Sequence, residues 1–205
     1  MSWSKEEMAL EVINMINNGA TINLGIGMPT LVAELMPATK SVMIQSENGV
    51  LGVGERPTKT TVSATLINAG KETITVNKGA SFFDSALSFG MIRGGHIDYC
   101  ILGGMEVDVE GNLANWMVPG QKITGMGGAM DLVNGAKQII IMMSHFNKNG
   151  TCKLVPKYQL PLTGANVVHF VVTEMGVFAP SQKKFRVIKL APGITTASLG
   201  DTPYL

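Results

Sequence analysis

The residues with the clearest chemical potential lie in positions 42–52, where an apolar run leads into Ser46-Glu47-Asn48-Gly49. A carboxylate among apolar neighbours loses its water, so it must be hydrogen-bonded or used in chemistry. Glu47 can serve as a nucleophile toward an activated acyl group, because the mixed anhydride it forms can later be attacked by a thiolate. The small neighbours Asn48 and Gly49 would let a substrate approach the carboxylate closely.

The same tetrapeptide has a second interpretation as an ordinary turn. Ser, Asn and Gly are all turn formers, each for a different conformational reason. Taken alone, Ser46-Glu47-Asn48-Gly49 therefore favours a turn over a catalytic site.

The wider sequence resembles one family over nearly its whole length. Residues 44–52, IQSENGVLG, are similar to the active-site signature of the family I CoA-transferases, in which this glutamate carries the covalent intermediate. Further similar segments follow in the order expected for the B-type half of a 3-oxoacid or short-chain acyl CoA-transferase: NLGIGMP (23–29), INAGKE (67–72), FGMIRGGH (89–96), LANWMVPG (113–120), GMGGAMDL (125–132) and LPLTG (160–164).

The resemblance implies a catalytic role for Glu47 and a set of residues that bind substrate or CoA. In this sequence those are Asn23, Gln45, Asn48, Gly49, Lys71, Asn115, Gly127, Gly128 and Ala129. The amides of Gly128 and Ala129 would hold the acyl oxygen or the CoA thioester, and Asn23 and Asn115 would orient a carboxylate or carbonyl.

Each of these positions also has a structural alternative. A run of small residues can simply enter a helix tightly without binding a ligand. Asn23 and Asn115 can satisfy local backbone groups, since an amide among apolar neighbours needs a partner. A lysine beside a strand, such as Lys71, is usually solvated.

The resemblance also implies a ping-pong mechanism and a partner. CoA would be a substrate and a covalent intermediate, with no permanently bound cofactor and no metal. Because the fused enzymes carry a preceding domain of similar fold, a separate A-type (alpha) partner is expected, in an A₂B₂ assembly. The small-molecule partners would be an acyl-CoA and a carboxylic acid. The divergent segment 54–61 leaves the acyl chain length open.

Composition excludes several other classes of function. A chain of 205 residues with 45% hydrophobic and 15% charged residues can build a sizeable core, and we expect residues 1–205 to form a single CoA-transferase B-type domain. A net charge of +1 gives no argument for nucleic acid or a membrane surface. Two cysteines cannot form a disulfide framework, which indicates a cytoplasmic location. The three histidines are too widely spaced to indicate a metal site.

Periodicity predicts an open, layered α/β fold with its functional residues at strand ends. The resemblance implies an α/β/α sandwich of the CoA-transferase type. The predicted helices cover residues 4–17, 29–36 and 81–92, with another beginning near residue 130. The predicted strands cover residues 21–24, 41–45, 72–77, 97–102, 138–143 and 167–172.

Two other functions remain as alternatives. A CoA-ester hydrolase on the same scaffold would transfer the acyl group to water and need no acceptor acid. A non-catalytic ligand-binding domain of related architecture would have no use for a nucleophile, which the sequence retains.

Neither glycine-rich segment matches a nucleotide-binding motif. Residues 25–30 lack the third glycine of a dinucleotide fingerprint, and residues 125–129 lack the lysine of a P-loop.

Overall fold

A computed structural model describes residues 1–120, 125–181 and 183–204. The helices are α1 (Lys5–Met15), α2 (Thr30–Glu34), α3 (Ser85–Arg93) and α4 (Ala129–Gly135), followed by a 3₁₀ turn at Thr196–Leu199. The strands are β1 (Ala20–Leu24), β2 (Val42–Ser46), β3 (Val50–Val53), β4 (Val76–Phe82), β5 (Tyr99–Gly103), β6 (Glu106–Asp108), β7 (Leu113–Ala114), β8 (Gln138–Met142), β9 (Leu154–Val155), β10 (Phe170–Thr173), β11 (Gly176–Ser181) and β12 (Lys184–Leu190). Over the described ranges, no helix has both the length and the apolar character needed to cross a bilayer.

The first helix begins where the sequence predicts it. The Ser4 side chain accepts the Glu7 amide, and the Glu7 carboxylate accepts the Ser4 amide, which is a capping box. The face that includes Met8 and Val12 is buried, so this amphipathic helix is fixed to the sheet by its apolar side.

The main sheet has nine strands in the order β12-β11-β10-β8-β5-β1-β2-β3-β4. Its central strands, β10, β8, β5, β1 and β2, run parallel, and antiparallel strands extend both edges. Chain order reverses between β1 and β5, which are neighbours in the sheet. In an open α/β sheet, ligands bind outside the carboxyl ends of the strands at such a reversal.

Helices cover both faces of this sheet, which confirms the predicted layered α/β fold. One core joins α1 and α2 to strand residues such as Ile101 and Ile140. The other joins α3 and α4 to residues such as Cys100 and Ile139. Successive residues of β5 and β8 thus face opposite layers, and both faces are apolar, as expected for covered parallel strands.

A small sheet of order β7-β6-β9 packs against the α3 and α4 side. A turn at residues 110–112 connects β6 to β7. The buried Asp108 carboxylate accepts the amides of Glu110 and Asn112, and Gly111 adopts a φ of +79°. This turn follows the Asx pattern that polar residues favour between short strands.

The sequence prediction is wrong over residues 72–84, whereas the predicted helix is confirmed from Ser85 onward. The strand predicted at 72–77 begins only at Val76, and it continues through Phe82 into the region predicted as helix. Helix α3 begins after Asp84, whose side chain accepts the Leu87 amide as an N-cap. Pairing of β4 with β3 decides these boundaries, and that long-range contact outweighs local propensity.

Helix α2 is also shorter than the sequence predicts. The prediction covers residues 29–36, but α2 covers Thr30–Glu34, with Pro29 at its N-cap. Leu35 at its C-cap has left the helical conformation, with a φ of −100° and a ψ of 1°. Strands β3, β11 and β12 are absent from the sequence prediction, and they form antiparallel extensions of the sheet.

Candidate active site

Glu47 lies in a tight turn between β2 and β3. The Gly49 amide donates to the Ser46 carbonyl at 3.0 Å, and Ser46 pairs with Val50 across the antiparallel hairpin. Gly49 has a φ of +115°, and a Cβ at this position would collide with the Phe83 carbonyl oxygen. Both the conformation and the close approach require glycine. The turn interpretation of the tetrapeptide is therefore confirmed, and the turn places Glu47 at the carboxyl end of β2.

A neighbouring segment, residues 67–72, holds this turn on both sides of Glu47. The Asn48 side-chain amide donates to the Ile67 carbonyl at 2.8 Å. The Ala69 backbone amide donates to the Ser46 hydroxyl at 2.9 Å. These bonds explain why the INAGKE motif accompanies the glutamate motif: it fixes the turn on which Glu47 sits.

The Glu47 carboxylate lies against Gly128, the N-cap residue of α4. A Cβ built on Gly128 would lie 2.8 Å from Oε1, 2.9 Å from Cδ and 3.2 Å from Oε2 of Glu47. Burial raises the pKa of Glu47 above its ordinary value; the Gly128 amide opposes this rise, and the negative charge of Asp131 adds to it. Because Glu47 is half-buried, its carboxylate has lost part of its water, which makes the ionised form a better nucleophile.

Buried polar side chains continue from β2 across the neighbouring strands. Asn23 of β1 lies between Gln45 of β2 and Cys100 of β5 in the sheet register. The Asn23 amide nitrogen donates to Gln45 Oε1 at 2.6 Å, and Gln45 Nε2 donates to the Ser88 hydroxyl of α3 at 2.8 Å. Burial, and to a smaller extent the Glu47 charge, raises the pKa of the Cys100 thiol, which therefore stays protonated.

Asn115 lies at the end of β5, away from the Asn23–Gln45 pair. Its side-chain nitrogen donates to the Gly103 carbonyl at the end of β5, at 3.2 Å, and its side-chain oxygen accepts the Thr163 hydroxyl at 2.6 Å. The amide is thus satisfied by local partners, as the structural alternative expects. Its predicted contact with substrate stays a prediction.

The remaining predicted residues differ in accessibility. Lys71 is exposed and has a φ of +66° in the turn that closes segment 67–72. Gly127 has a φ of +55° at the entry to α4. The Ala129 amide donates to the Met126 carbonyl at 3.3 Å, so it is already engaged in that entry.

The predicted residues thus lie in different places: Gly127 and Ala129 at the entry to α4, Asn115 beside Gly103 and Thr163, and the others as follows. The structure brings five of them around the Glu47 turn: Asn23, Gln45, Asn48, Gly49 and Gly128. It places Lys71 at the periphery, on the exposed part of segment 67–72.

A cavity of about 290 Å³ lies beside the same turn, between α2 and β2. Ser46 and Asn68 line it near the Glu47 turn, and an ion pair of 3.2 Å between Arg56 and Glu34 lies on another side. Glu47 itself is not among the residues that line this cavity. The carboxylate instead faces the side of the turn occupied by Gly128.

Comparison with known proteins identifies the class of protein to which this fold and this glutamate belong. Residues 6–199 match the Coenzyme A transferase family, and the chain belongs to that family. It is 54% identical over 195 residues to the B subunit of a probable succinyl-CoA:3-ketoacid coenzyme A transferase from Bacillus subtilis, covering 95% of this chain and 90% of that one. It is 46% identical over 196 residues to the beta subunit of the Escherichia coli acetate CoA-transferase, covering 96% and 89%.

A solved structure shares the fold. The apoenzyme of the acyl-CoA transferase YdiF from Escherichia coli O157:H7 superposes with a TM-score of 0.74 at 21% identity. The match covers 94% of this chain but only 39% of the YdiF chain. The chain therefore spans about two-fifths of that relative's length, and the likeness confirms the α/β/α architecture.

Two contributors to the site escape prediction from the sequence. Ser88 gives no signal, because a serine within a helical pattern is as often solvated as buried. Ser46 is predicted only as a turn former, but its hydroxyl bond to Ala69 depends on a segment distant in sequence. A signal for Ser46 exists in its position directly before Glu47, whereas Ser88 requires the packing of α3 on β2.

Proposed function

We propose that this chain is the catalytic B subunit of a CoA-transferase that works through a covalent glutamyl-CoA thioester on Glu47. The observation that carries the proposal is the half-buried Glu47 carboxylate, at the carboxyl end of β2 and in contact with Gly128. Membership of the Coenzyme A transferase family supports the same chemistry.

The first half-reaction loads CoA onto the enzyme. An oxygen of ionised Glu47 attacks the thioester carbonyl of the donor, and the carbon–sulfur bond breaks to release CoA thiolate and leave an acyl-glutamyl anhydride. The thiolate then attacks the Glu47 side-chain carbonyl. The donor leaves as a free carboxylate, and Glu47 becomes a thioester of CoA.

The second half-reaction reverses these steps with a new acid. The acceptor carboxylate attacks the glutamyl thioester and expels CoA thiolate, which then attacks the acceptor acyl carbon and restores the Glu47 carboxylate. Each addition places charge on an oxygen, and the Gly128 amide is the donor best placed to stabilise it. Ala129, Gly127 and Asn115 keep their proposed binding roles as further contacts at this site.

The anhydride must be kept from water while it waits for the thiolate. Hydrogen bonds of Asn48 and Ser46 pin the turn, so the backbone that carries Glu47 is held in a defined position. Fixed geometry of this kind lowers the activation barrier, because the entropy of positioning is lost before the reaction begins.

Lys71, exposed on the neighbouring segment, is proposed to attract the negatively charged part of CoA.

The proposed donors are succinyl-CoA or acetoacetyl-CoA, and the proposed acceptors are a 3-oxoacid, acetate or butyrate. We further propose a separate A-type (alpha) partner in an A₂B₂ assembly, a single B-type domain over residues 1–205, and a cytoplasmic location. The names of the relatives as subunits support the partner, and the free Cys100 and Cys152 support the location. No nucleic acid or membrane partner is proposed.

The decisive experiment measures the mass of the peptide that contains Glu47. The chain is reconstituted with an A-type partner and incubated with succinyl-CoA or acetoacetyl-CoA without an acceptor. We expect a CoA adduct on Glu47 that disappears when a carboxylic acid is added. Glu47→Gln should form no adduct and lose more than about a thousand-fold in turnover, the order expected when a nucleophile is removed.

Two results would contradict the proposal in different ways. Consumption of the thioester without an adduct and without need for an acceptor would favour the hydrolase alternative. Binding of CoA without any turnover would favour the non-catalytic ligand-binding domain.

A further inference from the structure

Ser88 is a buried polar residue that no step of the proposed reaction uses. It lies on α3 with none of its surface exposed, and its hydroxyl accepts a hydrogen bond from Gln45 Nε2 at 2.8 Å. Gln45 lies on β2, two residues before Glu47 in the following turn, and is only 1% exposed. Ser88 therefore contacts the strand that carries the nucleophile from the helix layer behind it.

The bonds in this chain of side chains have only one consistent direction. The Asn23 side-chain nitrogen lies 2.6 Å from Gln45 Oε1 and 3.3 Å from the Gln45 backbone carbonyl. Because a carbonyl can only accept, the group that Asn23 turns toward Gln45 must be its NH₂. Gln45 then presents its oxygen to Asn23 and its NH₂ to Ser88, whose hydroxyl accepts.

With the hydrogen bonds in this direction, one acceptor atom has no donor. Asn23 Oδ1 is buried and has no hydrogen-bond partner in the part of the chain that the structure describes. The Asn23 NH₂ is directed to two oxygens of Gln45, so Asn23 has no donor left for a substrate carbonyl or carboxylate. A free buried acceptor is unfavourable unless a donor is supplied at some stage.

We propose that Ser88 is a positioning residue, which acts through Gln45 to hold the Asn23 amide with its oxygen free beside the Glu47 turn. Asn23 then offers an acceptor to an N–H or O–H donor of the bound ligand. With the proposed function, on which this inference rests, the fitting donor class is an amide N–H of the pantetheine arm of CoA. In this arrangement Asn23 accepts from the ligand, whereas the sequence-based expectation has it orient a carboxylate or carbonyl.

The test is a double-mutant cycle in the reconstituted complex with its A-type partner. The variants are Ser88→Ala, Gln45→Met and the combination, and the readout is the single-turnover rate of the Glu47–CoA adduct per folded complex. Ser88→Ala should lower this rate about ten-fold, the effect of one hydrogen bond, with less change in the KM for acyl-CoA. In the Gln45→Met background, Ser88→Ala should change nothing further, because the residue through which it acts is gone.

A matched control removes a buried methyl group from the same helix without touching this chain of bonds. Ile92→Val, at a fully buried position of α3, should keep the rate of the unmutated complex. An unchanged rate in Ser88→Ala, or an equal loss in both Gln45 backgrounds, would overturn the inference while adduct formation still supports the proposed function. Absence of any adduct in the unmutated complex would overturn the proposed function and this inference with it.

Discussion

The Glu47 carboxylate occupies the space that a side chain on Gly128 would need. A Cβ on Gly128 would lie 2.8 Å from Glu47 Oε1, closer than real Cβ contacts allow. Gly128 has a φ of −77°, which any residue can adopt, so its backbone conformation does not require glycine. The close contact with the Glu47 carboxylate requires glycine at this position, and this contact links the glycine motif at 125–132 directly to the proposed nucleophile.

Gly128→Ala should therefore displace the Glu47 carboxylate rather than unfold the chain. The group in contact with Gly128 is the Glu47 side chain, which can change its conformation. The new methyl group would push the Glu47 carboxylate away from the start of α4. We expect the rate of Glu47–CoA adduct formation to fall about a hundred-fold, as for a misplacement of roughly 1 Å at a reacting group. Single-turnover kinetics followed by peptide mass would measure it.

Gly90→Ala is the matched control for this substitution. Gly90 lies inside α3, and a Cβ there would meet nothing within 4 Å. Alanine should be tolerated or should stabilise the helix by up to about 1 kcal/mol, with an unchanged adduct rate. Equal rates for Gly128→Ala and the unmutated complex would show that the carboxylate does not need its observed position.

Local patterns in the sequence predict the elements whose boundaries are decided locally. The sequence predicts a helix that starts at residue 4, next to the observed start of α1, and the apolar runs predict strands where β5 and β8 lie. The error at residues 72–84 has a physical cause: β4 exists because β3 pairs with it, and its own residues are largely exposed. No periodicity marks such a strand.

The residues of the site also divide into those that the sequence indicates and those that depend on tertiary contacts. The family resemblance points to Glu47 and the glycines near it, whereas the tetrapeptide 46–49 taken alone favours an ordinary turn. The pairing of Asn23 with Gln45 depends on strand order in the sheet, and the contact with Ser88 depends on how α3 packs. These relationships are tertiary, so residue types alone could not supply the direction of the bonds between them.

The raised pKa of Glu47 predicts an acid limit to the reaction. In the proposed reaction the ionised carboxylate is the nucleophile, so the adduct rate should fall as the pH drops through the pKa of Glu47. Since burial raises this pKa above the ordinary value of 4.5, the fall should begin at a higher pH than for an exposed glutamate. A pH profile of the single-turnover rate, over the range in which the complex stays folded, measures it.

Asp131→Asn provides a directional check on that limit. The charge of Asp131 contributes to the raised pKa of Glu47, and Asp131 also pairs with Arg93 at 2.7 Å. Removing the negative charge should lower the pKa of Glu47 and extend activity to lower pH. An acid limit that stays at the same pH in Asp131→Asn would mean that another group controls it.

Loss of the Ser46 hydroxyl should slow the reaction, although this hydroxyl bonds to segment 67–72 and not to the ligand. Ser46→Ala removes the acceptor of the Ala69 amide and frees one side of the Glu47 turn from that segment. We expect about a ten-fold lower adduct rate, corresponding to one lost hydrogen bond, with a smaller change in KM because the ligand contacts remain. Ser63→Ala is the control, since its hydroxyl contacts Thr65 at 3.1 Å and lies outside the turn. If both variants kept the full rate, the turn would hold Glu47 without segment 67–72, and the pairing of the two motifs would need a different cause.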